Sequence, residues 1–445
     1  MAEPEAGERG GEEGGGIAIP EALAIAVRAH RSRDFATAEA VYGRILDAAP
    51  DYADAIHFFG VLRHQTGQSL DAVRLIRRAI ELDPDDPGKH LNLGNVLLEL
   101  DRPDLAMQGY RMAIVLSPGH VEARNNLGVA LRALRRDVEA EDVYREAVEL
   151  EPGHRDSWDN LGRLMASQGR MAEAATCHAR ALELEPTNPH HRRQLVAAYG
   201  AARETDRAVA IIKEWLADEP HSPSGHHLLA AYSGENVPGR ASDAYVESLF
   251  DDFASRFEHK LAVLDYRAPE LIGGLVSASC AAETGTLQVL DAGCGTGLCG
   301  PYLRPVAARL TGIDLSGNML ERARTRGEYD ELERAELTEY LLRKPGTYDL
   351  IVSADTLVYF GDLRDVLAAS AAALRPGGRL IFNVEQDEAA DDFKLQPSGR
   401  YAHQGRYVAE LLEQAGLHVL NSTTEAYRVE RGEPVFGLFY SAQKR

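Results

Sequence analysis

The run TLQVLDAGCGTG sets Asp291, Gly293, Gly295 and Gly297 in one D-x-G-x-G-x-G series directly after a strand-like segment. Glycine has no Cβ and enters left-handed backbone at little cost, so glycines at alternate positions make a turn tight and bare enough for a cofactor to lie against. Gly295, Gly297 and Gly300 also have the G-x-G-x-x-G spacing of a dinucleotide fingerprint, and Asp314 follows at the distance expected of a ribose-binding acid. The order of residues argues against that reading. A dinucleotide fingerprint opens on glycine straight after the strand, whereas here an acid comes first.

Alternating elements must position such a loop. TLQVLDAG, LTGIDLS, YDLIVSAD and RLIFNVE read as strands with helical spans between them, a pattern that predicts a mostly parallel sheet with helices on both faces. Ahead of them Tyr245, Leu249, Phe253, Phe257 and Leu261 recur every four residues on one face of an amphipathic helix. Tyr245, Phe253 and Phe257 fit either a lid over the loop or packing against the sheet. A Gly-, Pro- and polar-rich stretch at 235–242 reads as a linker.

The first half of the chain is periodic. Pro50, Pro84, Pro118, Pro152, Pro186 and Pro220 stand 34 residues apart, each closing a helix-like segment. Ala38, Ala72, Ala106, Ala140, Ala174 and Ala208 hold one frame of the repeat, and Gly60, Gly94, Gly128 and Gly162 another. Proline lacks an N–H and disfavours helix in the residue before it, so each unit is a helix, a turn and a second helix ended by proline. Leu93, Gly94, Ala106, Tyr110, Ala113 and Pro118 carry the pattern best; elsewhere the aromatic becomes Ile76, His178 or Ile212. This pattern resembles the tetratricopeptide repeat (TPR), and six repeats plus a terminal helix are placed at 19–234. Asn92, Asn126 and Asn160 share one phase of the first helix. Amides both donate and accept hydrogen bonds, and the resemblance implies a groove in which such a ladder docks a protein or peptide. Trp158 reads as interhelical packing.

Composition bounds the rest. At 445 residues the chain exceeds one hydrophobic core, and a net charge of -21 excludes a protein built mainly to neutralise nucleic-acid phosphates. Cys177, Cys280, Cys294 and Cys299 lack paired metal-ligand spacing, so no metal is expected and they read as thiols in a reducing compartment. Residues 1–18 are acidic and Gly-rich, unlike a secretory signal, and read as a disordered tail. No apolar run reaches the length of a membrane helix, so a cytoplasmic location is expected.

The second half, 243–445, resembles the class I S-adenosylmethionine-dependent methyltransferases, and the whole chain looks like a bacterial group of predicted methyltransferases carrying TPR repeats. The group shares the LFDDFASRFE, LDYRAP and SGRYAHQ segments. The resemblance implies a Rossmann-like domain with a mostly parallel seven-stranded sheet whose last strand, in PVFGLFYSAQK, is antiparallel. It implies that Asp291, Gly293, Gly295 and Gly297 cradle the methionine part of the cofactor and that Asp314 holds the ribose hydroxyls. Ser316 and Met319 lie beside that acid, Met319 packing on the cofactor, while Glu336 in ERAELTEYL takes the adenine amino group. Ser353, Ala354 and Asp355 fall at the sulfonium end.

Methyl transfer from a sulfonium is an in-line displacement, so the protein has mainly to align the reactants and, where needed, take a proton from the acceptor. The groups expected to face the methyl are Asp355, Tyr359, Glu385, Tyr401, His403 and Tyr407. His403, Asp355 and Tyr401 form the candidate catalytic set, His403 having the intrinsic pKa of a general base. The alternative for His403 is a surface or helix-capping role beside Gln404. The expected activity is methyl transfer to an acceptor that the residues do not name, either a side chain delivered by the repeats or a small molecule. A non-catalytic scaffold and a nicotinamide-dependent oxidoreductase are the alternatives.

Overall fold

The computed structural model describes residues 17–253, 261, 264–430 and 432–445. The expected tail at 1–18 lies outside them except for its last two residues, as does Phe257. The chain divides into two compact units, Met1–Met165 with Thr176–Thr187, and Ala166–Ala175 with Asn188–Arg445.

Helices follow one another from Ile19–Arg31 to Pro223–Ser233 in helix-turn-helix pairs. The phased glycines are set by what faces them. A Cβ on Gly94 would stand 2.5 Å from the Tyr110 ring and one on Gly128 2.4 Å from Tyr144; on Gly162 it would meet His178 at 2.7 Å. The buried alanines of the second helices, Ala72, Ala106 and Ala140 among them, are fully inaccessible. The turn within each pair contains a phased left-handed residue that composition does not announce. It is Gly67 and Gly169 twice, but Arg33, Asp101, Arg135 and Arg203 in the other turns, with φ of 57–62°.

Two polar arrays run between repeats. Asn92 Nδ2 lies 2.9 Å from His57 Nε2; Asn126 Nδ2 donates to Asn95 Oδ1 at 3.0 Å, and Asn160 Nδ2 to Asn125 Oδ1 at 2.8 Å. Thus the amide ladder is wired from each repeat to the one before. Asp54, Asp83 and Asp86 converge as a possible metal cluster would, but the buried Lys89 ammonium sits among them at 2.9, 2.8 and 2.6 Å. Three carboxylates compensate its burial.

In the second unit one sheet runs β3 (Glu331–Arg334), β2 (Ala307–Asp314), β1 (Leu287–Ala292), β4 (Tyr348–Ser353) and β5 (Leu374–Gln386), all parallel. The last strand, β9 (Glu433–Lys444), pairs antiparallel with β5 and with β8 (Leu417–Glu430). Among the described residues the sheet has nine strands where seven were expected. The extra pair is β6 (Phe393–Leu395) and β7 (Tyr401–His403), an excursion after β5 whose second strand joins β5 at Glu385 and Gln386. β9 also pairs with Glu385, so β7 takes the β4 edge of β5, just beyond where β4 ends. This brings the excursion to the carboxyl ends of the central strands, the end at which open α/β sheets bind ligands.

The stretch 235–242 is held as a strap. Gly361 and Asp362 N–H donate to Gly239 O at 2.8 and 2.7 Å, Ala241 N–H donates to Tyr359 O at 2.8 Å, and Arg240 bridges Phe360. His227, in the helix before it, stacks on Tyr245 at 4.1 Å and lies 2.9 Å from Gly399 O through Nε2. Ala230 and Tyr245 belong to the core under the sheet. Tyr245 is therefore a packing residue.

Candidate functional site

A cavity of about 1220 Å³, its open mouth included, lies over the carboxyl ends of β1, β2 and β4. Gly293, Gly295, Asp314, Met319, Glu336 and Asp355 reach it. Loop glycines 293, 295 and 297 adopt φ of 80, 54 and 85°. A Cβ on Gly293 would strike Thr356 at 2.1 Å, whereas one on Gly295 would meet nothing within 4 Å among the described residues. The outer glycines are thus demanded by packing and backbone conformation, and the middle one leaves bare main chain toward open space.

Asp314 closes β2 and braces this loop. Gly295 N–H donates to its Oδ2 and Ser316 N–H to its Oδ1, both at 2.9 Å. Burial raises its pKa against the lowering effect of those amides. Ser316 is fully buried, caps the helix Gly317–Arg326 through Met319 N–H, and donates to Asp251 at 2.5 Å. Glu336 follows β3, caps its own helix by accepting from Glu339 N–H at 2.7 Å, and turns its other oxygen, Oε1, toward Arg240 Nη1 at 3.5 Å. That oxygen is buried without a hydrogen bond among the described residues.

Other expected residues lie behind the cavity wall. Asp291 is buried, accepts a 2.7 Å hydrogen bond from Tyr329, and its Oδ1 has no hydrogen bond among the described residues. Burial foremost, then the charge of Asp314, pushes its pKa to about 7 despite that bond. Gly297 abuts Tyr329 and Arg326. Ser353 ties β4 to β1 through Ala292 O at 3.0 Å.

Of the candidate catalytic set only Asp355 reaches the cavity. Its backbone is left-handed at φ 54°, its N–H donates to the buried Asn383 side chain at 2.8 Å, and its carboxylate accepts from Tyr427 OH at 2.9 Å. Tyr401 and His403 are fully buried. Tyr401 OH donates to Pro238 O at 2.8 Å, His403 Nε2 lies 3.1 Å from Gly361 O, and burial lowers the His403 pKa to about 4. Neither the exposed nor the helix-capping alternative for His403 describes this position. Side chains alternate along a strand, so Tyr401 and His403 share the face of β7 directed at the strap, while Arg400 takes the opposite one.

Arg400 reaches the cavity with Arg428, Tyr266 and Tyr359. Tyr407 instead meets Asp362 at 3.4 Å, and Glu385 stands behind the arginines, 3.2 Å from Arg400 and 2.5 Å from Arg428. Sequence reasoning missed both arginines. Arg400 lies within the quoted SGRYAHQ stretch, but Arg428, late in a long strand, carries no local signal.

The comparisons bear on this geometry. A methyltransferase-domain family matches residues 290–380, and tetratricopeptide-repeat families match 23–87, 59–120, 91–155 and 165–232. A ubiquinone biosynthesis O-methyltransferase of Coxiella burnetii is 31% identical over 33% of this chain and 70% of that protein. The chain belongs to the methyltransferase family. The corresponding Thiobacillus denitrificans enzyme is 28% identical over 32% of this chain and 72% of its own. Across such relatives the chain spans 42–72% of their length. PilF of Pseudomonas aeruginosa aligns with 48% of this chain and 96% of its own at 16% identity and a TM-score of 0.42. The methyltransferase domain thus follows a tetratricopeptide-repeat array, and its matched segment runs from β1 through much of β5, with the glycine loop, Asp314, Glu336 and Asp355 inside it.

Proposed function

We propose that the domain is a class I methyltransferase using S-adenosylmethionine. The observation that carries this is one cavity shared by the bare main chain at Gly295, the β2 acid Asp314 and Glu336, whose buried Oε1 accepts no hydrogen bond among the described residues. Arg240 stands 3.5 Å from that oxygen and compensates its charge without completing a hydrogen bond, and an adenine amino group is a donor suited to the remaining capacity. Gly293 and Gly295 would lie along the methionine part, Asp314 would take ribose hydroxyls, Met319 would pack on the base, and Glu336 would orient it. Asp291, Gly297, Ser316 and Ser353 support the loop from behind. When bound, the cofactor supplies a methyl group on a sulfonium that needs no further activation.

Asp355 is held at the acceptor side by Tyr427 and Asn383, where it can orient the acceptor or take its proton. His403 and Tyr401 act as positioning residues for the strap. Both relatives named above are O-methyltransferases by name, which favours a small-molecule oxygen acceptor over a side chain delivered by the repeats. The array then docks a protein or peptide partner, with Asn92, Asn126 and Asn160 along its groove, in a cytoplasmic enzyme.

Calorimetric titration with S-adenosylmethionine and S-adenosylhomocysteine, beside reduced nicotinamide dinucleotide, tests the cofactor. Micromolar binding of the adenosyl pair alone is expected. Asp314→Ala removes two charge-assisted bonds of roughly 1.5–3 kcal/mol each and weakens that binding at least about tenfold. Nicotinamide binding without adenosyl binding would overturn the assignment.

A further inference from the structure

The acceptor side of the cavity ends in five charged groups. Arg428 is engaged through all three nitrogens: Nε donates to Glu430 at 2.7 Å, Nη2 to Glu385 at 2.5 Å, and Nη1 faces Asp355 at 3.4 Å and Tyr427 OH. Arg400 gives Nε to Glu385 at 3.2 Å and Nη2 to Glu430. Its Nη1 has no hydrogen bond among the described residues, and the side chain lines the cavity. The two glutamates fix the plane of the guanidinium and leave Nη1 without a partner among the described residues. Leu264, Tyr266 and Tyr359 supply the apolar surface nearby.

We propose that Arg400 is the anchor for a carboxylate on the acceptor, so that the substrate class is an organic acid with an apolar body; this rests on the cofactor reading above. A guanidinium held rigidly from behind is always charged and pairs with a carboxylate more strongly than with a neutral oxygen. The surroundings set a condition. Two guanidiniums face three carboxylates, Asp355, Glu385 and Glu430, a formal balance of one negative charge. A cationic cofactor brings that balance to zero, so an acid enters most easily when a positive charge already occupies the sulfonium position.

The full chain is titrated calorimetrically with octanoate and cinnamate, each beside its primary amide. Each titration is run in the presence of S-adenosylhomocysteine and again with sinefungin, whose amine carries the positive charge. Each acid should bind at least tenfold tighter than its amide and tighter with sinefungin than with S-adenosylhomocysteine. Arg400→Gln should abolish the preference for the acid while S-adenosylhomocysteine affinity stays within twofold, and Arg400→Lys should restore part of it. Equal binding of acid and amide to the unaltered chain, or an acid preference that survives Arg400→Gln, overturns the proposal. Failure of both adenosyl ligands to bind overturns the cofactor reading instead, and the acid and amide titrations without them still decide whether Arg400 is an anion anchor.

Discussion

Glycine serves opposite ends in the two halves of the molecule. Gly128 sits inside a helix with ordinary backbone, and its missing side chain is the space that the Tyr144 ring fills. Among the described residues Gly295 has nothing within 4 Å of where a Cβ would stand, and its backbone is twisted to φ 54°. One is a packing glycine and the other leaves a surface for a ligand. The difference separates stability from binding: repeat glycines belong to the fold, and the loop glycine belongs to what the fold holds.

The strongest way to test that separation is to cut between the halves. The compact unit with the sheet begins its long segment at Asn188, and the strap at Gly239, Arg240 and Ala241 is bonded to Tyr359, Gly361 and Asp362. A chain of residues 188–445 should bind S-adenosylhomocysteine as the full chain does, whereas 243–445 should lose binding altogether, because Arg240 and Ala241 of the strap line the cavity and Ala230 of its core is removed. Equal binding by both fragments, measured calorimetrically, would make the strap an ordinary tether.

The glycines come next. Gly128→Ala forces a methyl group against Tyr144 and should destabilise the array by about 1–3 kcal/mol, the usual range for overpacking, with cofactor affinity unchanged. Gly295→Ala should do the reverse in emphasis: weaken cofactor binding severalfold while costing the domain only the roughly 1–2 kcal/mol of a left-handed alanine. Thermal unfolding and calorimetry on both variants separate the two effects, and a parallel loss of both properties in either variant would break the comparison.

Much of this plan was legible in the residues. Six phased prolines define the repeat because a missing N–H cannot be carried in a helix interior, and the acid-led glycine loop marks the β1 turn because few other residues reach φ near 80°. What escaped depends on geometry that no local pattern carries. The strap reads as a linker from its Gly and Pro, yet what fixes it are backbone bonds from Tyr359, Gly361 and Asp362. In SGRYAHQ the chemistry of His403 drew attention, but strand parity sends His403 inward and Arg400 to the cavity. Arg428 gains its place only when β8 pairs with β9 beside β5.

The position of His403 has a consequence in pH. Its pKa is about 4 in the fold against about 6.5 when exposed. Above pH 6.5 both states are neutral there; as pH falls from 6.5 toward 4 the unfolded chain takes a proton that the folded one refuses, so stability is lost across that window. By pH 5 the loss should approach about 2 kcal/mol on the scale of 1.36 kcal/mol per pKa unit. Asp291, its pKa raised to about 7, gains stability as pH falls over the same window. The His403 loss is therefore read as the difference between the unaltered chain and His403→Gln in denaturant unfolding of the sheet domain at pH 7 and pH 5: the variant should be the more acid-resistant of the two. A pH dependence of turnover near 6.5 that disappears in that variant would instead return His403 to catalysis.

The smallest effect separates docking from wiring in the amide ladder. Asn126 donates to Asn95 Oδ1 and accepts from Asn125 Nδ2 at 3.1 Å, two neutral bonds that contribute about 0.5–1.5 kcal/mol each. Their sum is about 1–3 kcal/mol, and Asn126→Ala should cost the array the lower end of that range, less than Gly128→Ala, because a half-buried amide can be replaced by water whereas a ring cannot share its space with a methyl group. Denaturant unfolding of the two variants side by side gives the order. If Asn126→Ala proves the more damaging, the ladder rather than the glycine-to-ring contact holds neighbouring helices in register, and its amides are structural before they are available to any partner.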